Sequence, residues 1–328
     1  MQLLYLVGPK TLSLSPGGRG SREIQTPRPG AIVLAFAMAC FYLLSGYASE
    51  AQAQSAGRTE IPVGPQYDTT HVYVAPSDLD AFVKSFIATF GGSATKPIVA
   101  RVTPVPSSTE SEVVRTPVGL LSIFAYQTPI PFPFGLERTG NLVTDMDRAV
   151  EAVRAAGGEI VVAPFKDPIG EDAIIQWPGG VKMQLYWHFT PSTSPPLEAV
   201  PDSRVYLSPD QADNFVKCFV AFSKGRVVAD DKHADAGEIG RAGETYRRIR
   251  IASLFGNMQV LVTDGHLPYP FGYELTGYQV QDIRATLDKA KAAGVKILSV
   301  PYTTDERTSA IVEFPGGYIA EIHSLAAR

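Results

Sequence analysis

The sequence predicts an α+β protein made by duplication: two tandem domains, each a cupped sheet with helices on its outer face. Three observations predict it. Pro131-Phe-Pro-Phe-Gly-Leu-Glu-Arg-Thr-Gly140 returns 137 residues later as Pro268-Tyr-Pro-Phe-Gly-Tyr-Glu-Leu-Thr-Gly277, and Pro178-Gly-Gly returns as Pro315-Gly-Gly at the same offset. Upstream, His71-Val-Tyr-Val and Phe82-Val-Lys match Arg204-Val-Tyr-Leu and Phe215-Val-Lys at an offset of 133, so the second copy carries four extra residues, placed near Asp230–Glu244. Within each copy the apolar pattern runs strand, helix, three strands, twice over.

Composition agrees with that size and class. A chain of 328 residues is comfortable for two domains, and 45% hydrophobic against 19% charged residues supplies their cores. The near balance of 29 Lys+Arg against 33 Asp+Glu gives no average basic face, which argues against nucleic acid as a partner. Two cysteines, Cys40 and Cys218, support neither a disulfide framework nor a thiolate zinc site. Residues 1–53 read as a secretory signal peptide with a long leader: Lys10, Arg19, Arg22 and Arg28 precede the apolar run Ala31–Tyr47, and Ala51-Gln52-Ala53 sets cleavage before Gln54. The mature chain is then secreted or periplasmic, with no membrane span.

After a segment at 54–66, the first domain is expected over 67–189, a proline-rich linker over 190–202 and the second domain over 203–326. In the first domain a strand at 70–74 leads to a helix on which Leu79, Phe82, Val83 and Phe86 share one face, with Ser77 or Asp78 placed to cap it. Strands follow at 98–103, 112–116 and 120–127, rich in β-branched residues. The pattern restarts at Gly140 with a helix from Asp145 that Gly157 and Gly158 end, then strands at 159–163, 173–177 and 181–186. Helices on one face of mostly antiparallel strands leave the other face to line a cavity.

These features resemble the vicinal oxygen chelate superfamily, which includes glyoxalases, bleomycin-resistance proteins and extradiol dioxygenases. The resemblance is carried by the paired strand-helix-three-strand units, the helix starts Asp145-Met-Asp and Asp282-Ile-Arg, and the pieces Pro178-Gly-Gly-Val-Lys-Met-Gln and Pro315-Gly-Gly-Tyr-Ile-Ala-Glu. It covers nearly all of the chain after residue 66. It implies tandem glyoxalase-like domains, each of paired βαβββ units, and a divalent metal held by His and Glu side chains. The family positions fall on His71, about Ile123, Arg138 and Gln184 in the first domain, and on Arg204, about Val260, Leu275 and Glu321 in the second. One imidazole and one amide, or one carboxylate beside a guanidinium, make a poor donor set. No cofactor is therefore certain, and a divalent metal stays open only through His71, Glu137 and Gln184, with Glu137 replacing a lost donor by a one-residue shift.

His71, Gln184 and Glu137 are accordingly the catalytic candidates. Strand alternation places Tyr73, Tyr186 and His188 on the first cavity face, and Arg204, Tyr206, Glu321 and His323 on the second. Trp187 is a further stacking candidate. A bland alternative has Glu321 simply pairing with Arg204, and Glu137 and Glu274 holding the turn of the repeated proline motif. Two functions remain: a module binding a small organic molecule over a degenerate metal site, or a metal-dependent lyase or dioxygenase acting through the first domain. A small-molecule ligand is the expected partner in both, and the oligomeric state is not legible.

Overall fold

Proline, glycine and a two-residue apolar alternation shape the first unit. The structure, a computed structural model, describes residues 63–191, 200–304 and 306–326. The leader, most of the segment after it and residues 192–199 of the linker lie outside the described residues. Strand β1 (Thr70–Tyr73) passes through a 3-10 turn, Pro76–Asp78, into helix α1 (Leu79–Phe90). Asp78 stands at the N-cap without a side-chain hydrogen bond, so the capping expected of Ser77 or Asp78 is not made; Pro76 and its turn lead the chain in instead. Leu79, Phe82, Val83 and Phe86 are buried along one face of α1. Strands β2 (Ser93–Ala94), β3 (Ile98–Ala100), β4 (Thr109–Thr116) and β5 (Gly119–Tyr126) follow, with β1 parallel to β5 and β4 antiparallel to it.

The second unit repeats this as β6 (Gly140–Leu142), α2 (Met146–Ala155), β7 (Glu159–Lys166), β8 (Gly170–Trp177) and β9 (Val181–His188). Here the cap is made: the Asp145 carboxylate accepts from the Arg148 backbone N–H at 3.1 Å, and Gly157 closes the helix at a φ of 88° that a Cβ would disfavour.

The second copy comprises β10 (Asp202–Leu207), α3 (Pro209–Ser223), β11 (Arg226–Asp235), β12 (Thr245–Ser253) and β13 (Gly256–Val262). Then come β14 (Thr276–Gln279), α4 (Ile283–Ala292), β15 (Lys296–Ile297), β16 (Tyr302–Thr303), β17 (Arg307–Phe314) and β18 (Tyr318–Leu325). Its two units join edge to edge through antiparallel β10 and β14, giving the order β11-β12-β13-β10-β14-β18-β17-β15. In the first copy the matching seam is made by two backbone bonds, His71 N–H to Arg138 C=O at 3.0 Å and Gly140 N–H to Thr69 C=O at 3.4 Å.

The helices lie outside the cups and pack across the copies. One core joins Phe82 and Phe86 of α1 to Tyr278, Phe314 and Tyr318; the other joins Trp177 to Phe219 and Phe222 of α3. Each apolar helix face is thus covered partly by the other copy, and burying such aromatic area is worth roughly 1.5–3 kcal/mol per side chain.

Candidate functional site

In the first copy the Pro178-Gly-Gly turn fixes the site by setting the β8–β9 register. Asp172 lies opposite Tyr186 and Ile174 opposite Gln184, so these four share one face, while Ala173, Ile175, Leu185 and Met183 enter the helix-side core. On the other wall His71 stands beside Ser122. Together these faces line a cavity of about 160 Å³ whose walls also include Tyr73, Phe124, Tyr126, Phe134, Asp68 and His188. Tyr73 lies 5.3 Å from Phe124 and 6.2 Å from Tyr126, ring to ring, an aromatic wall. Across from it Tyr186 donates to the Asp68 carbonyl at 2.8 Å, and the Tyr67 hydroxyl meets His188 Nδ1 at 2.5 Å.

Glu137 is fully buried and turned inward: it accepts from the Tyr73 hydroxyl, and its Oε1 lies 3.8 Å from His71 Nδ1. The glycine after it explains why the repeated motif ends in Thr-Gly. A Cβ at Gly140 would lie 2.6 Å from His71 Nε2, and one at Gly277 would lie 2.6 Å from Glu321 Oε2. Each glycine makes room for a charged or ring side chain of its cup.

The cavity is acidic. Burial pushes the Asp172 carboxyl well above the usual range, reinforced by Asp167, Asp68 and Glu137 and opposed by a hydrogen bond with Gln184. Burial likewise raises Asp68, against the pull of His71 and Ser122, and lowers His188. The Tyr73 phenol is raised by burial and then by Glu137.

The centre of the second cup is filled by its own side chains, and beside it a pocket of about 250 Å³ has a charged lining that includes Arg248, Arg250, Glu306 and Arg307. Arg204, at the place of His71, is 1% exposed and binds Glu321 at 3.1 Å and Glu274 at 3.3 Å. Arg307 lies 3.3 Å from Glu321, and His323 Nδ1 lies 3.3 Å from the same carboxylate. Within the stretch 230–244, where the sequence comparison places the extra residues of this copy, a 3-10 turn, Ala236–Ile239, packs against the cup. Its Glu238 accepts from Arg248 at 2.7 Å and from the Tyr246 hydroxyl at 2.6 Å, and Ala236 and Ile239 pack with Tyr246, Leu261 and Tyr206. Burial alone would raise both carboxyls at Arg204. Glu321, with Arg204 and Arg307 beside it, is instead held well below the ordinary range, whereas Glu274, served by Arg204 alone and repelled by Glu321, stays above it.

No family model and no curated protein matches this chain. Solved structures do. A mutant of 4-hydroxymandelate synthase from Streptomyces coelicolor superposes with a TM-score of 0.53 over 82% of this chain and 94% of its own, at 13% identity. The chain has the vicinal oxygen chelate fold. A xylose isomerase-like TIM barrel/4-hydroxyphenylpyruvate dioxygenase fusion protein matches at a TM-score of 0.50 and 15% identity, over 82% of this chain and 50% of that longer one. A Mn(II)-bound glyoxalase from Novosphingobium aromaticivorans gives 0.47 at 15% identity, over 80% and 82% of the two chains.

The fold implies a metal, and the donor atoms test it. In the second cup the Arg204 guanidinium fills the centre and Arg307 flanks it, an arrangement that repels a divalent cation. In the first cup His71 and Glu137 approach one another and Gln184 lines the same cavity, yet among the described residues no three His, Cys, Asp or Glu side chains converge as a metal centre requires. Neither donor set fits a tightly held divalent ion.

Several expectations need correction. Ile123 and Val260 face the helices; their neighbours Ser122 and Gln259 face the cups, because β5 and β13 are registered one residue from the expected positions. Arg138 leaves the cup and lies 5.6 Å over the Tyr73 ring, while Glu137 takes the inward place. Glu137 and Glu274 serve the cups more than the turn. Trp187 does not line the first cup: alternation turns it to the helix-side core, beside Phe189. His71, Tyr73, Gln184, Tyr186 and His188 do line one cavity, and Arg204, Glu321 and His323 meet in one ion-pair cluster. Sequence reasoning missed Asp68, Asp172, Glu238, Arg248 and Arg307. Counting back from the Pro178-Gly-Gly and Pro315-Gly-Gly turns would have put Asp172 on the face of Tyr186, and Arg307 on that of His323.

Proposed function

We propose that this protein binds a small organic molecule in the cup of its first copy, and that its second copy has become a structural half. The observation that carries the reading is the contrast between two cups of one fold. The first cup opens on an aromatic-walled cavity of about 160 Å³, whereas the equivalent positions of the second are tied into a buried network of three arginines and three glutamates whose adjoining pocket of about 250 Å³ has a charged lining. The lining suits a binding site: aromatic walls for dispersion and stacking, with a few polar groups to orient the ligand. His71, Tyr73, Tyr186 and His188 are the contacts we assign to it. The leader sequence supports export of the mature chain, which N-terminal sequencing of protein recovered outside the cytoplasm would test.

A second reading, a metal-dependent lyase or dioxygenase working from His71, Glu137 and Gln184, is favoured by the approach of His71 to Glu137. Metal analysis of purified protein beside a His71→Ala variant separates the two. The binding reading expects no stoichiometric metal, and a fragment screen whose hits protect first-cup residues in wild type. Stoichiometric metal that disappears in His71→Ala would establish the second reading instead.

A further inference from the structure

The first cup contains buried polar atoms whose needs are all of one kind. Asp68 Oδ1 and Glu137 Oε2 are buried and unpaired, while His71 Nδ1 turns toward Glu137 Oε1 at 3.8 Å. A carboxylate oxygen only accepts. Leaving a buried acceptor unmade is costly, so such a set calls for a donor-rich occupant. The remaining charge points the same way. Asp68, Asp172 and Asp167 line the cavity, and no Lys or Arg does. The aromatic wall of Tyr73, Phe124 and Tyr126 presents ring surface that attracts cations. Asp68, Asp167 and Asp172 are spread around the cavity and, among the described residues, do not converge as three metal ligands would.

We propose that the first cup takes a primary ammonium group on a small apolar, preferably aromatic, body, with Asp172 and Asp68 as countercharge. This rests on the first cup being the binding site. The N–H donors of an ammonium suit the unpaired Asp68 Oδ1 and the Asp172 carboxyl, and its charge offsets the mutual repulsion of the carboxyls. In the empty cup burial and the neighbours Asp68, Asp167 and Glu137 favour the protonated form of Asp172, so the ammonium displaces a proton as it enters.

The test is calorimetric titration of the full chain at pH 7 with benzylamine, benzyl alcohol and phenylacetate, in two buffers of different ionisation enthalpy. The amine is expected to bind at least tenfold more tightly than the alcohol, with proton release, and the carboxylate to bind least. Asp172→Asn, isosteric with the neutral acid, should keep the alcohol's affinity and lose most of the amine's advantage. Equal binding of amine and alcohol, or tighter binding of phenylacetate, overturns the ammonium proposal while leaving a small-molecule cup intact. Stoichiometric Mn²⁺ that blocks the amine overturns it in favour of a metal site. If none of the three binds and a charge-diverse fragment screen leaves the first cup unperturbed, the reading of the cup as a binding site fails with it.

Discussion

Replacing Arg204 by methionine is the sharpest probe of the second cup. The guanidinium bridges Glu274 and Glu321, which are 0% and 1% exposed. Methionine fills comparable volume, so the loss is electrostatic more than a cavity. Removing one partner of a buried pair costs about 3–5 kcal/mol; Glu274 loses its cation while Glu321 keeps Arg307 at 3.3 Å, so a loss within that range is expected. For a chain of this size the melting temperature should fall by roughly 6–20 °C. The stranded Glu274 would escape by binding a proton. Its folded pKa lies above the unfolded one, so the lost stability is smallest below about pH 4.3 and grows as pH rises through the folded value. Urea unfolding at pH 7 and at pH 4.5 measures both effects, and adding Glu274→Gln to the variant should restore much of the loss. A deficit under about 1 kcal/mol, or one that grows on acidification, would refute the claim that Arg204 neutralises this site.

Other outcomes follow from the same geometry. Gly140→Ala and Gly277→Ala each force a Cβ to 2.6 Å from a buried cup side chain and should each cost about 1–3 kcal/mol, but only Gly140→Ala should alter ligand affinity in the first cup. In the wild-type chain Glu321 is depressed, so its contribution is complete above about pH 4.3 and is lost as pH falls toward its folded value; acid unfolding monitored by circular dichroism should weaken when Glu321→Gln is introduced. Asp172 is raised, so the wild type loses stability as pH climbs above about 3.9 toward that raised value, and Asp172→Asn should flatten this slope and gain stability at pH 8 in thermal melts.

Much of the architecture was legible because its signals are local. Proline and glycine shape the turns at 178–180 and 315–317, Asp145 and Asp282 cap their helices through backbone bonds of 3.1 Å and 3.0 Å, and apolar spacing marks one face of α1. The duplication itself also lies in the sequence, since equal offsets need no coordinates. The site was legible only in part. His71, Gln184 and Tyr186 follow from alternation along a strand whose ends are marked, whereas Ile123 was chosen in place of Ser122 because parallel pairing of β1 with β5 has no hairpin to count from.

What the sequence by itself determined is the repeated unit, its class and the suspicion that Arg204 had displaced a metal donor. Those depend on periodicity, turn chemistry and charge type, all carried by neighbouring residues. Tertiary structure alone decided that α1 packs on α4 and α2 on α3, that Glu238 comes within 3.7 Å of Arg307 in the second cup, and that Asp68 and Asp172 share the first. Each is a contact between segments far apart in the chain, where the winning arrangement is the one that buries the most apolar surface while leaving the fewest charges without a partner.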